Sequence, residues 1–408
     1  MAGGCWGIRV KDGVDRISEL PVHLREHILE SMSIKDAVST SSLSSKWRYC
    51  WTGLRTLNFG YHFWDLDKNN RYTMLDLLEH ARAVDIVLML HCGPIREFIL
   101  YVHNIEHKTV DINTWLRVLS NNGVQKIKIG ATENSEGLFS IPSGLFNCRE
   151  LEELSLRNCK LTLPRDYKGF ANLTTLGFDC VNIAPSLLES LISGCLLLET
   201  LTLEQLMLNG PFALETLNLK TFYSIDNDLE FIIFKDNPKL TCVSILATGQ
   251  SGVERTHSYN STLKHLRSLS MIKELTFDFL LLDQPLRENC PSSTPTPLEN
   301  LKCLTLISVD VRLPEDILFT LCLLRSAPNL QNLTIELDSE FECASKIKKV
   351  QEEAAKLLEF EVKNYTSYDS LQTIKISRID GLPHEILLIK LLQTRCPKVK
   401  SIIIDTGH

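Results

Sequence analysis

A six-residue pattern, apolar-x-x-apolar-x-apolar, recurs along this chain of 408 residues and constrains its fold more than any other feature. Alternating apolar positions are typical of a strand that buries one face. The pattern starts at thirteen places, namely residues 54, 95, 124, 151, 173, 198, 214, 240, 272, 301, 330, 371 and 399. The three intervals from 124 to 198 are 27, 22 and 25 residues, and two later intervals are both 29. Such spacing predicts one strand in each of a series of stacked repeats.

The segments that join these copies also repeat. Residues 323–330 parallel residues 391–399: each reads as the end of a helix, then Pro, then a strand, because Pro cannot continue a helix. Residues 151–161 fit the full leucine-rich consensus, with Cys159 at its Asn/Cys position. We therefore predict an α/β solenoid of leucine-rich repeats, an irregular horseshoe with strands on its concave face. Residues 248–262 and 283–297 are predicted to be loops.

The N-terminal block has a different pattern, which predicts short helices. Pro21 suits the first turn of a helix over residues 22–32, because its missing N–H is not needed there. Apolar residues of that helix recur at a spacing of four and form one stripe, which consists of Leu24, Ile28, Leu29 and Met32. Such short helices gain their stability from packing. The block must therefore dock on the rest of the chain, on a partner, or on both.

Two further helices are predicted in the same block. Residues 33–36, Ser-Ile-Lys-Asp, form a capping signal for a second helix. Trp47 and Trp51 are four residues apart and would share one face of a third helix.

This block resembles the F-box, in the version that plant F-box proteins with leucine-rich repeats carry. The matching residues are Leu20-Pro21, Ile28-Leu29, Ile34 to Val38, the Ser-Leu-Ser run around Leu43, Trp47-Arg48 and Trp51. Ser33 departs from the family, which usually has Pro there, and this should loosen the turn. Residues 381–404 resemble the FBD region that closes many of these proteins. The expected domains are an F-box at 15–60, leucine-rich repeats at 61–360 and an FBD-like region at 361–408.

The resemblance implies a function without bond chemistry of its own. In the family, the F-box lays its helices in a groove of the Skp adaptor, which tethers it to a cullin ubiquitin ligase. This chain would then be a substrate-recognition subunit. Apolar and aromatic anchors dominate such interfaces. The expected adaptor-binding residues are Leu20, Pro21, Leu24, Ile28, Leu29, Ile34, Val38, Leu43, Trp47 and Trp51.

An alternative reading from another class of protein fits the same residues. The chain would be a plain leucine-rich-repeat scaffold whose N-terminal helices only cap the solenoid. A cap should bury Trp47 and Trp51 against the first repeat and leave no sizeable apolar patch. A docking module should leave such a patch exposed.

Polar side chains between the core positions of the strands are the best candidates to bind a protein target. Those in or beside the predicted strands are Lys126, Lys128, Glu153, Arg157, Asp179, Glu204, Lys220, Glu274, Asp278 and Glu336. Basic residues lead at the N-terminal end of this series, and acidic residues are more frequent later. The solvent-facing positions of strands in any solenoid must also be polar. Each of these ten residues therefore has a purely structural role as its alternative.

Composition excludes several classes of function. The net charge of −7 argues against general binding to nucleic-acid backbone. Residues 1–60 carry eight basic and six acidic residues, so the remainder holds a net charge of −9. The 13 cysteines form no CxxC pair, and no apolar run is long enough to span a bilayer. The start of the chain has no signal-peptide pattern. We expect a reduced, soluble protein of the nucleus or cytoplasm, without a membrane partner.

Chemical motifs are weak in this sequence. Residues 23–27 and 103–107 both read H-x-x-E-H, the inverted zinc-protease signature, which requires two His on one helical face and a third ligand from elsewhere. The first pair lies on the predicted docking helix, and the second follows a predicted strand. No P-loop, G-x-S-x-G or G-x-G-x-x-G motif is present. We expect solvated histidines, no cofactor, no metal and no catalytic residue.

Overall fold

The structure is a computed structural model. It describes residues 15–60, 63, 74–102, 111–131, 138–248, 262, 269, 271–282, 297–338, 347–363 and 367–406. The chain divides into two compact units, Met1–Leu151 and Glu152–His408. The two loops predicted at residues 248–262 and 283–297 lie almost entirely outside the described residues.

The first unit combines the N-terminal helices with three repeat strands. Its described α-helices are α1 (Val22–Glu30), α2 (Ile34–Ser39), α3 (Met74–Leu90) and α4 (Ile112–Asn121), and its 3-10 helices are Thr40–Ser42, Cys50–Gly53 and Ser143–Asn147. Its described strands are β1 (Thr56–Phe59), β2 (Glu97–Val102), β3 (Lys126–Ala131) and β4 (Phe139–Ser140). Strands β1, β2 and β3 pair in parallel.

The second unit contains one parallel sheet of ten described strands in chain order. These are β5 (Glu153–Arg157), β7 (Thr175–Asp179), β8 (Thr200–Glu204), β10 (Thr221–Ile225), β12 (Cys242–Leu246), β13 (Glu274–Asp278), β14 (Cys303–Val309), β15 (Asn332–Leu337), β16 (Thr373–Ser377) and β17 (Ser401–Asp405). The connections hold α5 (Pro185–Ser193), α6 (Pro314–Ser326), α7 (Ile347–Lys363), α8 (Pro383–Arg395), β6 (Cys159–Lys160), the paired short strands β9 (Phe212–Leu214) and β11 (Ile232–Phe234), and the 3-10 helices Leu229–Phe231 and Phe279–Leu281.

The predicted α/β solenoid is confirmed. In twelve of the thirteen predicted copies, a strand begins two residues after the first apolar position. In one copy, Leu173, Leu176 and Phe178 are at most 1% exposed, while Gly177 faces the other side of the sheet. Each repeat buries these positions by stacking on its neighbours. The helix–Pro–strand junctions are also confirmed, because α6 and α8 end shortly before Pro328 and Pro397.

The copy predicted at residues 214–219 is wrong. The repeat strand there is β10, so its copy begins at Leu219 and has Ser224 at the third apolar position. Ser224 is only 1% exposed, and its Oγ accepts a hydrogen bond of 3.2 Å from Asn227 Nδ2. A pattern that requires an apolar residue cannot find a buried hydroxyl that has a partner. The copies at 198, 219 and 240 then follow each other at 21 residues.

The third helix of the N-terminal block is also wrong. Residues 45–49 form turns, and Trp51 lies in a 3-10 helix. Backbone N–H groups bond three residues back, as Trp47 does to Ser44 O at 3.1 Å. Ser side chains compete for backbone carbonyls, and the Ser41 hydroxyl donates to Arg48 O at 2.9 Å. This competition disfavours a regular α-helix.

A left-handed residue ends several strands of the second unit. Asn158, Cys180, Gln205 and Asp226 have φ between 45° and 51° and directly follow β5, β7, β8 and β10. Each donates its N–H to a carbonyl of the next repeat at 2.9 Å. The turn therefore extends the ladder by one bond while it directs the chain away from the sheet.

We predict that Gly169→Ala destabilises the second unit more than Gly381→Ala. Both glycines have positive φ, of 97° and 83°, which costs about 1 kcal/mol for Ala. A Cβ at Gly169 would lie 1.8 Å from Gly194 O, whereas nothing lies within 4 Å at Gly381. Overpacking should therefore add about 1–3 kcal/mol at Gly169 only. Urea unfolding measures both variants, and equal midpoints would contradict the close approach.

Candidate protein-binding surfaces

Helix α1 turns two of its apolar side chains toward solvent, and Met32, in the turn after the helix, is exposed as well. Leu24, Ile28 and Met32 are 41%, 39% and 41% exposed, whereas Arg25 and Leu29 are 8% and 0% exposed. A helix that only stabilised its own unit would turn its apolar stripe inward. The structure thus leaves these three side chains available to another molecule.

Buried polar contacts hold α1 in this orientation. The Arg25 guanidinium donates from Nη1 to Lys46 O and lies 6.0 Å from the centroid of the Trp47 ring. Trp47 donates from Nε1 to Ser18 Oγ at 2.9 Å. A buried charge requires such partners. Arg25 therefore fixes which side of α1 points inward.

The second helix begins as predicted. Ser33 is its N-cap, and its Oγ accepts from Asp36 N at 3.1 Å and donates to Asp36 Oδ2 at 2.8 Å. These two hydrogen bonds define the start of the helix at Ser33, where the family usually has Pro. Ile34 and Ala37 are buried beneath the helix.

The structure divides the ten predicted docking residues into two groups. Leu24, Ile28, Leu43 and Pro21 are exposed, and Leu20 and Val38 are half-buried. Leu29, Ile34, Trp47 and Trp51 are at most 4% exposed and offer no surface.

Other apolar side chains are exposed in the same block without having been predicted to dock. We define the N-terminal apolar face as Ile17, Val22, Leu24, Ile28, Met32, Leu43 and Tyr49, each at least 39% exposed. Met32 belonged to the predicted stripe. Ile17 and Tyr49 carried no periodic signal, because they lie in turns.

The outward side chains of the sheet in the second unit form three rows along the strand register. The middle row runs through Ser155, Gly177, Thr202, Tyr223, Ser244, Thr276, Thr305 and Thr334. It is rich in hydroxyl groups. A row of this kind can donate and accept hydrogen bonds without a charge to neutralise.

A charged cluster lies at the start of the third row. Arg157 Nε is 3.1 Å from Asp179 Oδ2. Burial raises the pKa of the neighbouring Glu204, and the negative charges of Asp179 and Asp226 raise it further, against the opposing effect of Arg157. Asp226 is buried and accepts from Thr248 N at 2.9 Å.

Most of the remaining target-binding candidates lie on outward strand positions. Lys126 and Lys128 are on β3 of the first unit, where Lys128 Nζ is 3.8 Å from Glu97 Oε1. In the second unit, Glu336 Oε1 pairs with Arg378 Nη2 at 2.8 Å. Glu153 and Glu274 each begin a strand, and Glu274 is exposed.

Two of those candidates differ from the prediction, because Lys220 lies outside a strand and Asp278 is buried. Lys220 precedes β10, because the copy at 214–219 was wrong, and its Nζ pairs with Glu199 Oε1 at 2.7 Å. Asp278 is only 3% exposed, and it accepts from Leu280 N at 3.0 Å and from Ala247 N at 3.3 Å. Burial raises the pKa of Asp278. It stabilises a turn and offers no surface.

The described residues hold no group of three or more His, Cys, Asp or Glu that could bind a metal ion. In the first H-x-x-E-H segment, the His27 side chain is 83% exposed and lies 3.6 Å from Glu30. The second segment, with His103 and His107, lies outside the described residues. None of the described helices is long and apolar enough to cross a bilayer. The ten cysteines in the described part of the chain are free thiols.

A groove of about 600 Å³ lies beside α5 in the second unit. Its walls include Glu189, Cys195, Thr216 and Lys235. Glu189 Oε1 accepts from Ala213 N at 2.6 Å, so this carboxylate caps the edge of β9 that β11 leaves free. The contact protects a strand edge and explains the acidic residue structurally.

Comparisons with known proteins find matches for the N-terminal block and for the repeats. Residues 17–58 match the F-box domain, and residues 112–335 match the family described as "FBD-associated F-box protein At5g56370, LRR repeats". F-box/FBD/LRR-repeat protein At1g13570 of Arabidopsis thaliana is 31% identical over 96% of this chain and 91% of its own length.

Two further relatives from the same plant match smaller parts. Putative F-box/FBD/LRR-repeat protein At5g44950 is 29% identical over 47% of this chain and 42% of its own length. F-box/LRR-repeat protein At3g26922 is 30% identical over 53% of this chain and 69% of its own length.

We predict that Glu204→Gln stabilises the protein at neutral pH. With a raised pKa, the folded state binds more protons than the unfolded one, so the free energy of unfolding falls as pH rises from the usual pKa of 4.5 through the raised value. Gln removes this loss, and the melting temperature at pH 7 should rise by about 1–3 °C. The gain should vanish below pH 4.5.

Glu336→Gln is the matched control for that measurement. It removes a partly exposed ion pair with Arg378, which is worth about 0–1 kcal/mol, and should leave the melting temperature unchanged or slightly lower. A Glu204→Gln protein that melts below wild type at pH 7 would contradict the stated environment of Glu204.

Proposed function

Because the chain belongs to the F-box/FBD/LRR-repeat family, we propose that it is the substrate-recognition subunit of a Skp–cullin–F-box ubiquitin ligase. The N-terminal apolar face binds the Skp adaptor, which connects it to a cullin. The repeats hold a protein target. The chain does no bond chemistry itself; it keeps the target at a high effective concentration near the conjugating enzyme.

The observation that carries this proposal is the orientation of α1. Leu24 and Ile28 of α1, and Met32 in the turn after it, are exposed to solvent, whereas Arg25 is buried in the block. An exposed apolar stripe on a helix fits a groove on a partner, where such side chains become anchors.

The buried members of the predicted docking set support this surface from below. Leu29 and Ile34 pack under α1 and α2, and Trp47 bonds to Ser18. We therefore propose that Leu29, Ile34, Trp47 and Trp51 hold the exposed residues in place. Of the predicted docking residues, Leu20, Pro21, Leu24, Ile28, Val38 and Leu43 contact the adaptor, together with the rest of the N-terminal apolar face.

For the target, we propose the outward faces of the strands. The candidates that remain there are Lys126, Lys128, Glu153, Arg157, Asp179, Glu204, Glu274 and Glu336. The proposed domain limits remain 15–60, 61–360 and 361–408, and the proposed site of action is the nucleus or the cytoplasm.

One observation favours the second candidate, a repeat scaffold with a helical cap. Trp47 and Trp51 are 3% and 4% exposed, as a cap requires. Trp47, however, meets Ser18 and Arg25 of its own block. A cap also gives no reason to expose Leu43 at 69%.

We predict that Ile28→Asp combined with Leu43→Asp abolishes adaptor binding and leaves the chain folded. Both side chains are exposed, so the substitutions desolvate nothing in the free chain. The truncation of an anchor typically costs 2 kcal/mol or more, so the pair should weaken binding by at least about a hundredfold. Co-expression with a plant Skp adaptor and size exclusion measure this.

Leu217→Asp is the control, because Leu217 is 65% exposed in the second unit and lies outside the proposed interface. Leu29→Asp should instead unfold the block, because it buries a charge at a fully buried position. If the double variant still co-elutes with the adaptor, the docking surface is wrong; if wild type does not bind at all, the capped scaffold is favoured.

A further inference from the structure

The last repeat of the second unit has the outer surface of an interior repeat. Helices α6 and α8 are both 13 residues long, follow a Leu-Pro start and end before a Pro. Ile317 of α6 and Ile386 of α8 occupy the same position after that start. Ile317 is 2% exposed, whereas Ile386 is 58% exposed.

Strand β17 shows the same contrast with its neighbour. Ile402 and Ile404 pair in register with Ile374 and Ile376 of β16. Both residues of β16 are fully buried, but Ile404 is 49% exposed and Ile402 is half-buried. The core-facing positions of the last repeat are thus apolar, yet no described repeat covers them.

One edge of β17 has no strand partner in the part of the chain that the structure describes. Among the described strands, β17 pairs only with β16. The edge strands of natural sheets usually carry a charge, a Pro or a bulge. Strand β17 reads Ser-Ile-Ile-Ile-Asp, so its one charge is at its last residue and the three residues before it are apolar.

We propose that two copies of this chain pair through β17 in antiparallel register and so continue the sheet across a twofold axis. The strand is nearly symmetric about Ile403. In this register, Ile403 lies opposite its own copy and Ile402 lies opposite Ile404. Ser401 lies opposite Asp405, where its hydroxyl can donate to the carboxylate, and no like charges oppose each other.

The proposed twofold axis also keeps the core-facing sides of the two copies on the same side of the continued sheet. A twofold axis perpendicular to the sheet keeps core-facing positions on one side, so Ile402 and Ile404 of both copies remain together. Helix α8 of each copy then lies on that same side of the continued sheet. Such an isologous contact closes on itself and gives a dimer rather than a fibre.

The test is the mass of the full chain as a function of concentration, measured by light scattering. The chain should carry Ile28→Asp and Leu43→Asp, so that the N-terminal apolar face contributes nothing to self-association. We expect the mass to double as concentration rises. Ile403→Lys places two like charges opposite each other and should weaken the association at least about tenfold.

Ile233→Lys is the matched control, because Ile233 is also an isoleucine in a short strand and is 44% exposed. It should leave the dimer intact. A chain that stays monomeric into the high micromolar range would overturn the proposal, as would a dimer that survives Ile403→Lys. Adaptor binding does not enter this readout, so the ligase proposal stands or falls separately.

Cross-linking tests the register. Ile403→Cys should form a disulfide-linked dimer under mild oxidation, because cross-strand neighbours have Cβ atoms about 4.5–5.5 Å apart. Ser401→Cys should not exceed the wild-type background, because it lies opposite Asp405 of the other copy. Equal cross-linking of both variants would overturn the antiparallel register.

Discussion

The fold depends on one constraint: no repeat of this chain can bury its apolar positions alone. In the second unit, Leu176 and Phe178 of β7 are buried because β5 and β8 lie on either side in register. Stability is therefore a sum of neighbouring interfaces rather than a property of one central core. The same constraint makes both ends of a repeat array special, because an end repeat has only one neighbour.

Buried polar contacts fix the orientation of α1 in the N-terminal block. Arg25 takes an inward position that an apolar residue would normally hold, and its hydrogen bond to Lys46 O and its contact with the Trp47 ring partly offset the cost of burial. The consequence is that Leu24 and Ile28 turn outward. A buried charge thus determines which surface the block offers to a partner.

Sequence periodicity predicted the repeats well, because every strand needs its apolar positions. It failed at Ser224, where a buried hydroxyl bonded to Asn227 replaces an apolar side chain. It also could not separate Ile28 from Leu29, since neighbouring apolar residues give one stripe in a helical pattern. The burial of Arg25 determines that Leu29 faces inward and Ile28 faces outward. Arg25 is buried because it contacts residues about twenty positions away in the sequence.

Outward strand positions are free of the constraint that fixes the inward ones. Thr202, Tyr223 and Thr276 bury no core surface, so the fold tolerates many side chains there. Asp278 shows the limit of this freedom. It faces the same side of the sheet, but it is buried, and its carboxylate accepts hydrogen bonds from the N–H groups of Ala247 and Leu280. A residue can therefore serve recognition only where the turns that follow the strands do not already use it. By that criterion Glu204 and Glu274 stay available to a target, and Asp278 does not.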